Sequence, residues 1–348
     1  MRILADITHP AHVHFFKNAI VELRDRGHEV TIGSRAKDIT TDLLDAMGFE
    51  HLILSTAPKN KVITGLAYEM IAHCVRLTKL ARKTDPDVLL QVAGTFVAPV
   101  GFVLRKPSVV FYDTENAKLS NVISYNLATV VCTPECYEGS AGVHQVRYPG
   151  YHELAYLHPN RFKPDAGVLE ECGLSPDEKV FICRFVAHKA LHDYHEEGLT
   201  EGDKLRIVKE LARHGKVIIS SESELPDELE EYRSRIPFEK IHHAMAFAAL
   251  MIGDSATMAG EAAVLGVPGI FISKSDRGYT NEQERRYGLV KTFKPGKREE
   301  YLRATVEVAN QPLDDIRLEY GAKRDLLLTE RIDVTAWTVD FIESGFGS

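Results

Sequence analysis

The segment from Leu250 to Ser273, LMIGDSATMAGEAAVLGVPGIFIS, leaves the chain few ways to fold. A short apolar run (Leu250, Met251, Ile252) stops at Gly253-Asp254-Ser255, and small residues then open a helix at Thr257. A Gly266-Val267-Pro268 turn leads into a second apolar run, Gly269 to Ile272. Strand, tight turn, helix and strand make one βαβ unit, with its turn at the carboxyl end of the first strand. Ligands of open α/β sheets bind at that end, where a helix N-terminus offers unpaired N–H groups and a positive dipole end to an anion. Glu261 falls one turn into the helix, within reach of a sugar hydroxyl beside a bound phosphate. An ordinary buried βαβ unit shows the same pattern, so the segment defines a fold class before it defines a function.

The same grammar runs through the rest of the chain. Arg2 to Ile7 reads as a strand, Thr8-His9-Pro10-Ala11 as a loop, and His12 to Arg26 as a helix. Val13, Phe16, Ala19, Ile20 and Leu23 follow its 3.6-residue period, and Gly27 closes it. Strands over 28–32, 51–54, 88–91 and 108–112 alternate with helices over 41–47, 66–83 and 94–104. Residues 129–132 read as the last strand of this half. Turn residues then crowd at Pro149-Gly150, His158-Pro159-Asn160 and Lys163-Pro164-Asp165, which places a boundary near residue 160. The second half restarts with a strand at 180–183, a helix at 204–214, a strand at 216–220 and a short helix at 241–248. After the βαβ unit come a strand at 289–292, a helix at 298–310 and one or two closing helices over 322–344. The expected fold is α/β, with two tandem doubly wound parallel-sheet domains, 1–160 and 161–329, and a cleft between them for ligand. Residues 330–348 form a C-terminal helix able to cross back to the first domain.

Composition excludes several classes. A formal net charge of -8 supplies no basic field for nucleic acid. No apolar run approaches the roughly 18–20 residues of a membrane span. MRILADITHP lacks the basic and apolar regions of a signal peptide, so a cytoplasmic protein is expected. Five scattered cysteines fit a reducing compartment, with Cys132 and Cys136 read as small hydrophobes near a strand end. Arg76, Lys79 and Lys83 share a stripe of one long helix, near Lys59 and Lys61 in the preceding loop. That stripe is either a solvated face or a weak peripheral contact with an anionic membrane at its inner face.

Four clusters fall at strand ends. The first is His9, His12 and His14 with Asp6, where an imidazole can act as a general base near neutral pH. Tyr112-Asp113-Thr114-Glu115-Asn116 follows another strand of the same half. The second cluster is Arg184-Phe185-Val186-Ala187-His188-Lys189, whose cations suit a diphosphate. His188, His192 and His195 recur along one helix face, so with Asp193 a metal site is an alternative there, although no ligand pattern fixes its geometry. The third is Ser220-Ser221-Glu222-Ser223-Glu224, either a contact to sugar or base or a plain polar loop. The fourth is the βαβ turn itself, Asp254 to Met258, preceded by Ile241-His242-His243 and followed by Thr280-Asn281-Glu282-Gln283-Glu284, in which Gln283 is placed to reach a sugar.

ITHPAHVHFFKNAI, RFVAHKALHD, ISSESELP and GDSATMAGEAAVLGVP, taken in this order, resemble the GT-B superfamily. That group contains nucleotide-sugar glycosyltransferases and non-hydrolysing UDP-N-acetylglucosamine 2-epimerases. The nearer resemblance is to the domain-of-unknown-function 354 family, over nearly the whole chain. The resemblance implies a nucleotide diphosphate sugar, a UDP-sugar first among them, as substrate, with no tightly bound cofactor and no metal. Glu261 would bind the ribose hydroxyls. Ser255, Ala256 and Thr257 would meet the diphosphate, and Arg184 with Lys189 would neutralise it. Main-chain groups at Ile241 and His242 would face the base. His12 would deprotonate an acceptor hydroxyl, on a glycan or a lipid-linked molecule, in cell-surface glycan synthesis. Epimerisation is the alternative, because Asp113 and Glu115 fall near a carboxylate that epimerases keep and His188 near their catalytic histidine. Against it, epimerases carry an acid after the strand where this chain reads Gln91-Val92-Ala93-Gly94-Thr95. A non-catalytic nucleotide-sugar binder is a second alternative.

Overall fold

In the computed structural model, residues 1–57, 63–186, 199–221 and 224–347 are described. The chain forms two compact units, one of Met1–Arg161 with Ile332–Ser348 and one of Phe162–Arg331. The first unit opens with β1 (Arg2–Ile7), α1 (Pro10–Asp25), β2 (Glu29–Ala36), α2 (Thr40–Ala46), β3 (Leu52–Thr56) and α3 (Ile63–Thr84). It continues with β4 (Val88–Val92), α4 (Val97–Leu104), β5 (Ser108–Phe111), α5 (Lys118–Leu127), β6 (Val130–Pro134), β7 (Gln145–Tyr148) and α6 (Leu154–Leu157). Its seven strands pair in the order β3-β2-β1-β4-β5-β6-β7, all parallel. Parallel sheets covered on both faces need strands apolar throughout, and in β4 and β5 every residue is buried. Phe15 and Phe16 of α1 press on Phe111 of β5, with ring centroids 4.9 and 5.7 Å apart. The strand at 129–132 is not the last of this half. β7 adds an edge strand whose Tyr148 is fully buried while Arg147 faces outward.

The second unit contains α7 (Gly167–Glu171), β8 (Val180–Phe185), α8 (Glu201–Leu211), β9 (Lys216–Ser221), α9 (Asp227–Glu230) and α10 (Ile241–Ala246). There follow β10 (Leu250–Gly253), α11 (Ala256–Leu265), β11 (Gly269–Ile272), α12 (Gly278–Glu282), β12 (Val290–Phe293), α13 (Arg298–Asn310) and α14 (Leu313–Glu330). Five parallel strands pair in the order β12-β11-β10-β8-β9. The βαβ unit is β10-α11-β11. Its turn depends on Gly253, because a Cβ there would lie 1.9 Å from the carbonyl oxygen of Arg184 on the neighbouring strand.

The last helix, α15 (Val334–Phe346), belongs to the first unit. Val334, Val339 and Ile342 are fully buried, and Thr335 Oγ1 donates to the Ala155 carbonyl at 2.6 Å. Trp337 tilts against Tyr148 at 4.9 Å, and Glu343 accepts from Arg26 at 2.5 Å and pairs with His28 at 2.7 Å.

Candidate functional site

At the carboxyl edge of the first sheet, β1 runs into Thr8 and His9. His9 caps α1, its Nδ1 accepting the Ala11 N–H at 3.2 Å, and Pro10 opens the helix with the missing N–H that position tolerates. The first turn of α1 thereby presents His12, half-buried, its Nδ1 3.3 Å from Thr8 Oγ1. Burial holds the His12 imidazole well below its ordinary value; His9, His152 and Lys37 push the same way and Asp113 pulls it back up. His12 is therefore neutral at pH 7, the state a base must start from.

Asp113 and Glu115 follow β5. The Asp113 carboxylate lies 3.1 Å from Nδ1 of His152 and also accepts from Thr114 Oγ1 at 2.9 Å. His152 is buried, 4.6 Å from the Phe15 ring and stacked on Tyr148. Its Nε2 meets no hydrogen-bond partner among the described residues. Asp113 thus faces the Nδ1 edge of the ring and orients it. His152 escapes a reading of the sequence because it follows the Pro149-Gly150 turn, which local composition assigns to linker. Glu115 accepts the Glu138 N–H at 3.2 Å through one carboxylate oxygen, which fastens a loop. His14 leaves the expected cluster, turning inward to stack on Tyr156 at 5.3 Å.

Asp6 lies beneath this edge, fully buried, in a chain of polar contacts that sequence spacing does not reveal. Both its oxygens face His73 Nε2, at 3.0 and 3.1 Å, and Oδ2 accepts from Gln91 Nε2 at 2.7 Å. His73 Nδ1 lies 2.7 Å from Ser55 Oγ, which donates to Glu69 at 2.6 Å. Arg35 closes the chain with a two-pronged pair to Glu69 at 2.9 and 2.7 Å. At the other end, Gln91 Oε1 accepts the N–H groups of Phe96 and Val97 at the start of α4. From Arg35 to Gln91, each side chain of this relay meets a partner, as the low dielectric demands.

The second sheet's carboxyl edge is built from backbone. Ser255 caps α11, its Oγ accepting the Met258 N–H at 3.3 Å. The N–H groups of Ala256 and Thr257 find no acceptor among the described residues. Asp254 accepts the Val186 N–H at 2.7 Å and donates its own N–H to the Arg184 carbonyl at 3.2 Å, which ties the β8 and β10 ends together. Arg184 Nη1 donates to Ser220 Oγ at 3.1 Å. Glu261 and His242, assigned separately to ribose and base, meet at 2.9 Å as a buried pair joining α11 to the first turn of α10 at Ile241. Gln283 is fully buried, and neither end of its amide finds a hydrogen-bond partner among the described residues. It opens a π-helical turn, Gln283–Tyr287, a form that recurs at functional sites.

The structure thus brings Arg184, Ser220, Asp254 and the α11 cap to one edge, and His9, His12, Asp113 and His152 to the other sheet's edge. His188, Lys189 and Glu222 lie outside the described residues, as do His192, Asp193 and His195 of the alternative metal site. Among the described residues no three His, Cys, Asp or Glu side chains are grouped to share a metal ion. Cys132 and Cys183 are buried and burial pushes their thiols up, whereas Cys136 is half-buried.

Two Rossmann-like parallel-sheet units make this a GT-B fold, as in glycosyltransferases. The glycotransferase of kitacinnamycin superposes with a TM-score of 0.65 at 15% identity, covering 99% of each chain. UDP-GlcNAc 2-epimerase from Methanocaldococcus jannaschii, in complex with UDP-GlcNAc and UDP, gives 0.64 at 12% identity over 94% of this chain and 99% of that one. The chain belongs to the family described as Protein of unknown function (DUF354), whose model matches residues 1–277. Uncharacterized protein MJ0665 of Methanocaldococcus jannaschii is 22% identical over 76% of this chain and 79% of its own length. No helix among the described residues is long and apolar enough to cross a membrane.

Proposed function

We propose that the protein is a glycosyltransferase that moves a sugar from a nucleotide diphosphate sugar, a UDP-sugar first among candidates, to an acceptor hydroxyl, with a role in cell-surface glycan synthesis. The observation that carries this reading is His12: half-buried, neutral by burial, and within the field of Asp113. A base that takes a hydroxyl proton becomes an imidazolium, and the carboxylate that raises its pKa stabilises that product. The second unit supplies the donor half. The open N–H groups at the start of α11 and the Arg184 guanidinium suit a diphosphate whose charge grows as the sugar departs. Glu261 and Gln283 would then read the ribose and the sugar, Glu261 exchanging His242 for a ligand hydroxyl. The solved relative with UDP bound supports this donor class.

The Gln91 carboxamide speaks against epimerisation. It stands near the position where an epimerase has an acid, and it is committed at both ends to Asp6 and α4. Thermal melting of the chain with UDP-, GDP- and TDP-sugars tests the donor assignment, since a ligand bound only by the folded state raises the midpoint. A rise with one of them supports it, and none with any overturns it. Incubation with UDP-GlcNAc alone, followed by proton NMR, separates the chemistries. An unchanged sugar agrees with transfer and a 2-epimer refutes it. A ligand that binds but is not turned over with any acceptor from a panel of glycans and prenyl-linked sugars would leave a binding protein.

A further inference from the structure

The outer face of α3 is apolar at positions where a solvated helix has charges. Tyr68, Ile71 and Val75 lie on one stripe at i, i+3 and i+7 and are 75%, 61% and 48% exposed. Phe102 and Val103 at the end of α4 and Val122 on α5 are also exposed. Between α3, α4 and α5 runs a groove of about 530 Å³, walled by Met70, Cys74, Pro99, Ile123 and Leu127. Thr95 at one end brings it to the carboxyl edge of the sheet, and Lys79 and Arg82 line it as well. Lys79, Arg82, Lys83 and Arg105 make no ion pair among the described residues. Arg76, which shares the sequence stripe, instead donates to the Leu54 carbonyl at 2.6 Å and anchors α3 to the sheet. From Ile63 to Lys106 six cationic side chains stand against three acidic ones, and one of those, Glu69, is buried on Arg35, whereas the whole chain has a net charge of -8.

We propose that this face docks on an anionic lipid bilayer. Tyr68, Ile71, Val75 and Phe102 would enter the interface, one acyl chain would occupy the groove, and Lys79, Arg82, Lys83 and Arg105 would meet the lipid phosphates. Charge complementarity selects this occupant: the patch is cationic on an acidic protein, and its apolar stripe runs into cations at the C-terminal ends of α3 and α4 that make no ion pair among the described residues. That is the pairing by which an amphipathic surface holds an anionic membrane without spanning it. A second copy of the chain would bring the same cations face to face. The inference is independent of the transfer reading and needs no activity to test.

The full chain is sedimented with vesicles of phosphatidylcholine alone and of phosphatidylcholine mixed with phosphatidylglycerol, at low and raised salt. Binding to the mixed vesicles, weak binding to the neutral ones and release by salt are expected. Lys79→Glu with Arg82→Glu should lower the bound fraction at least tenfold at unchanged melting temperature, and Ile71→Ser with Val75→Ser should also release it. If the apolar pair disturbs folding, the charge reversal decides alone. No binding to either vesicle, equal binding to both, or binding indifferent to the charge reversal overturns the proposal. So does a dimer in solution that the Ile71→Ser, Val75→Ser variant dissolves, which would assign the face to a second copy.

Discussion

At the end of β1, ionisable side chains hold one another: Asp6, His73, Glu69 and Arg35 beneath the surface, His12, His152 and Asp113 at it. At the end of β10, the same place in the second sheet is made of a glycine that lets two strands meet, a serine cap and unclaimed backbone N–H groups. The proposed reading gives the first edge the proton transfer, since burial keeps the His12 imidazole neutral beside Asp113. It gives the other the anion, since the donors there are fixed in place and need no titration. Two sheets of the same type thus carry different chemistry at the same place, and the difference lies in which atoms occupy the strand ends rather than in the topology.

The contrast breaks most sharply at His12. His12→Asn should lower transfer by on the order of 10²–10⁴-fold, the range for removing a general base, with donor affinity unchanged in a melting assay. A parallel loss of donor affinity would mean that His12 binds rather than reacts. Asp6→Ala should come next, because it leaves the buried His73 and Gln91 without their shared acceptor. A cost of about 3–5 kcal/mol is expected, read as a lower urea midpoint. An unchanged midpoint would show that the relay contributes nothing to the first unit. In the second unit, Gly253→Ala should cost about 3 kcal/mol through a backbone collision that no side-chain rotation relieves, measured in the same titration. Arg184→Ala should weaken donor binding about tenfold to hundredfold, the loss of one charge-assisted contact, as read by calorimetry. Equal affinity would place the diphosphate elsewhere.

The smallest effect is the most diagnostic of the first edge. Burial lowers the pKa of His12, so the rate should stay flat as pH falls through 6.5 and decline only below it, where the base becomes protonated. Asp113 raises that pKa, so Asp113→Asn should move the acid limb further down in pH. An acid limb that moves up instead would remove Asp113 from the electrostatics of His12.

Much of this is legible in the residues, for physical reasons. Leu250–Ser273 reads as strand, helix and strand because apolar runs, a small-residue helix and two glycine turns are all local signals. The His9-Pro10 start of α1 is local too: a cap and a proline announce themselves. β7 is missed because QVRY is short, alternates weakly and sits at an edge with its outer side polar. The Asp6–His73 contact spans 67 positions and the Asp113–His152 pair crosses from β5 to the turn after β7, so no period or spacing links them. His73 looks like any polar residue inside a long helix. Only the folded sheet shows that it faces a carboxylate.

The return of α15 has a consequence in time. Arg161 and Ile332 bracket the second unit, so the first unit is interrupted in sequence while continuous in space. A ribosome finishing this chain makes the whole second unit before it makes Val334, Val339 and Ile342. At synthesis rates of about 5–20 residues per second, that leaves the Tyr148 and Ala155 face uncovered for roughly ten to forty seconds. During that interval the first sheet waits with an apolar seam open, so its nascent form is the species a chaperone would recognise, and loss of the last helix would unsettle the domain made first.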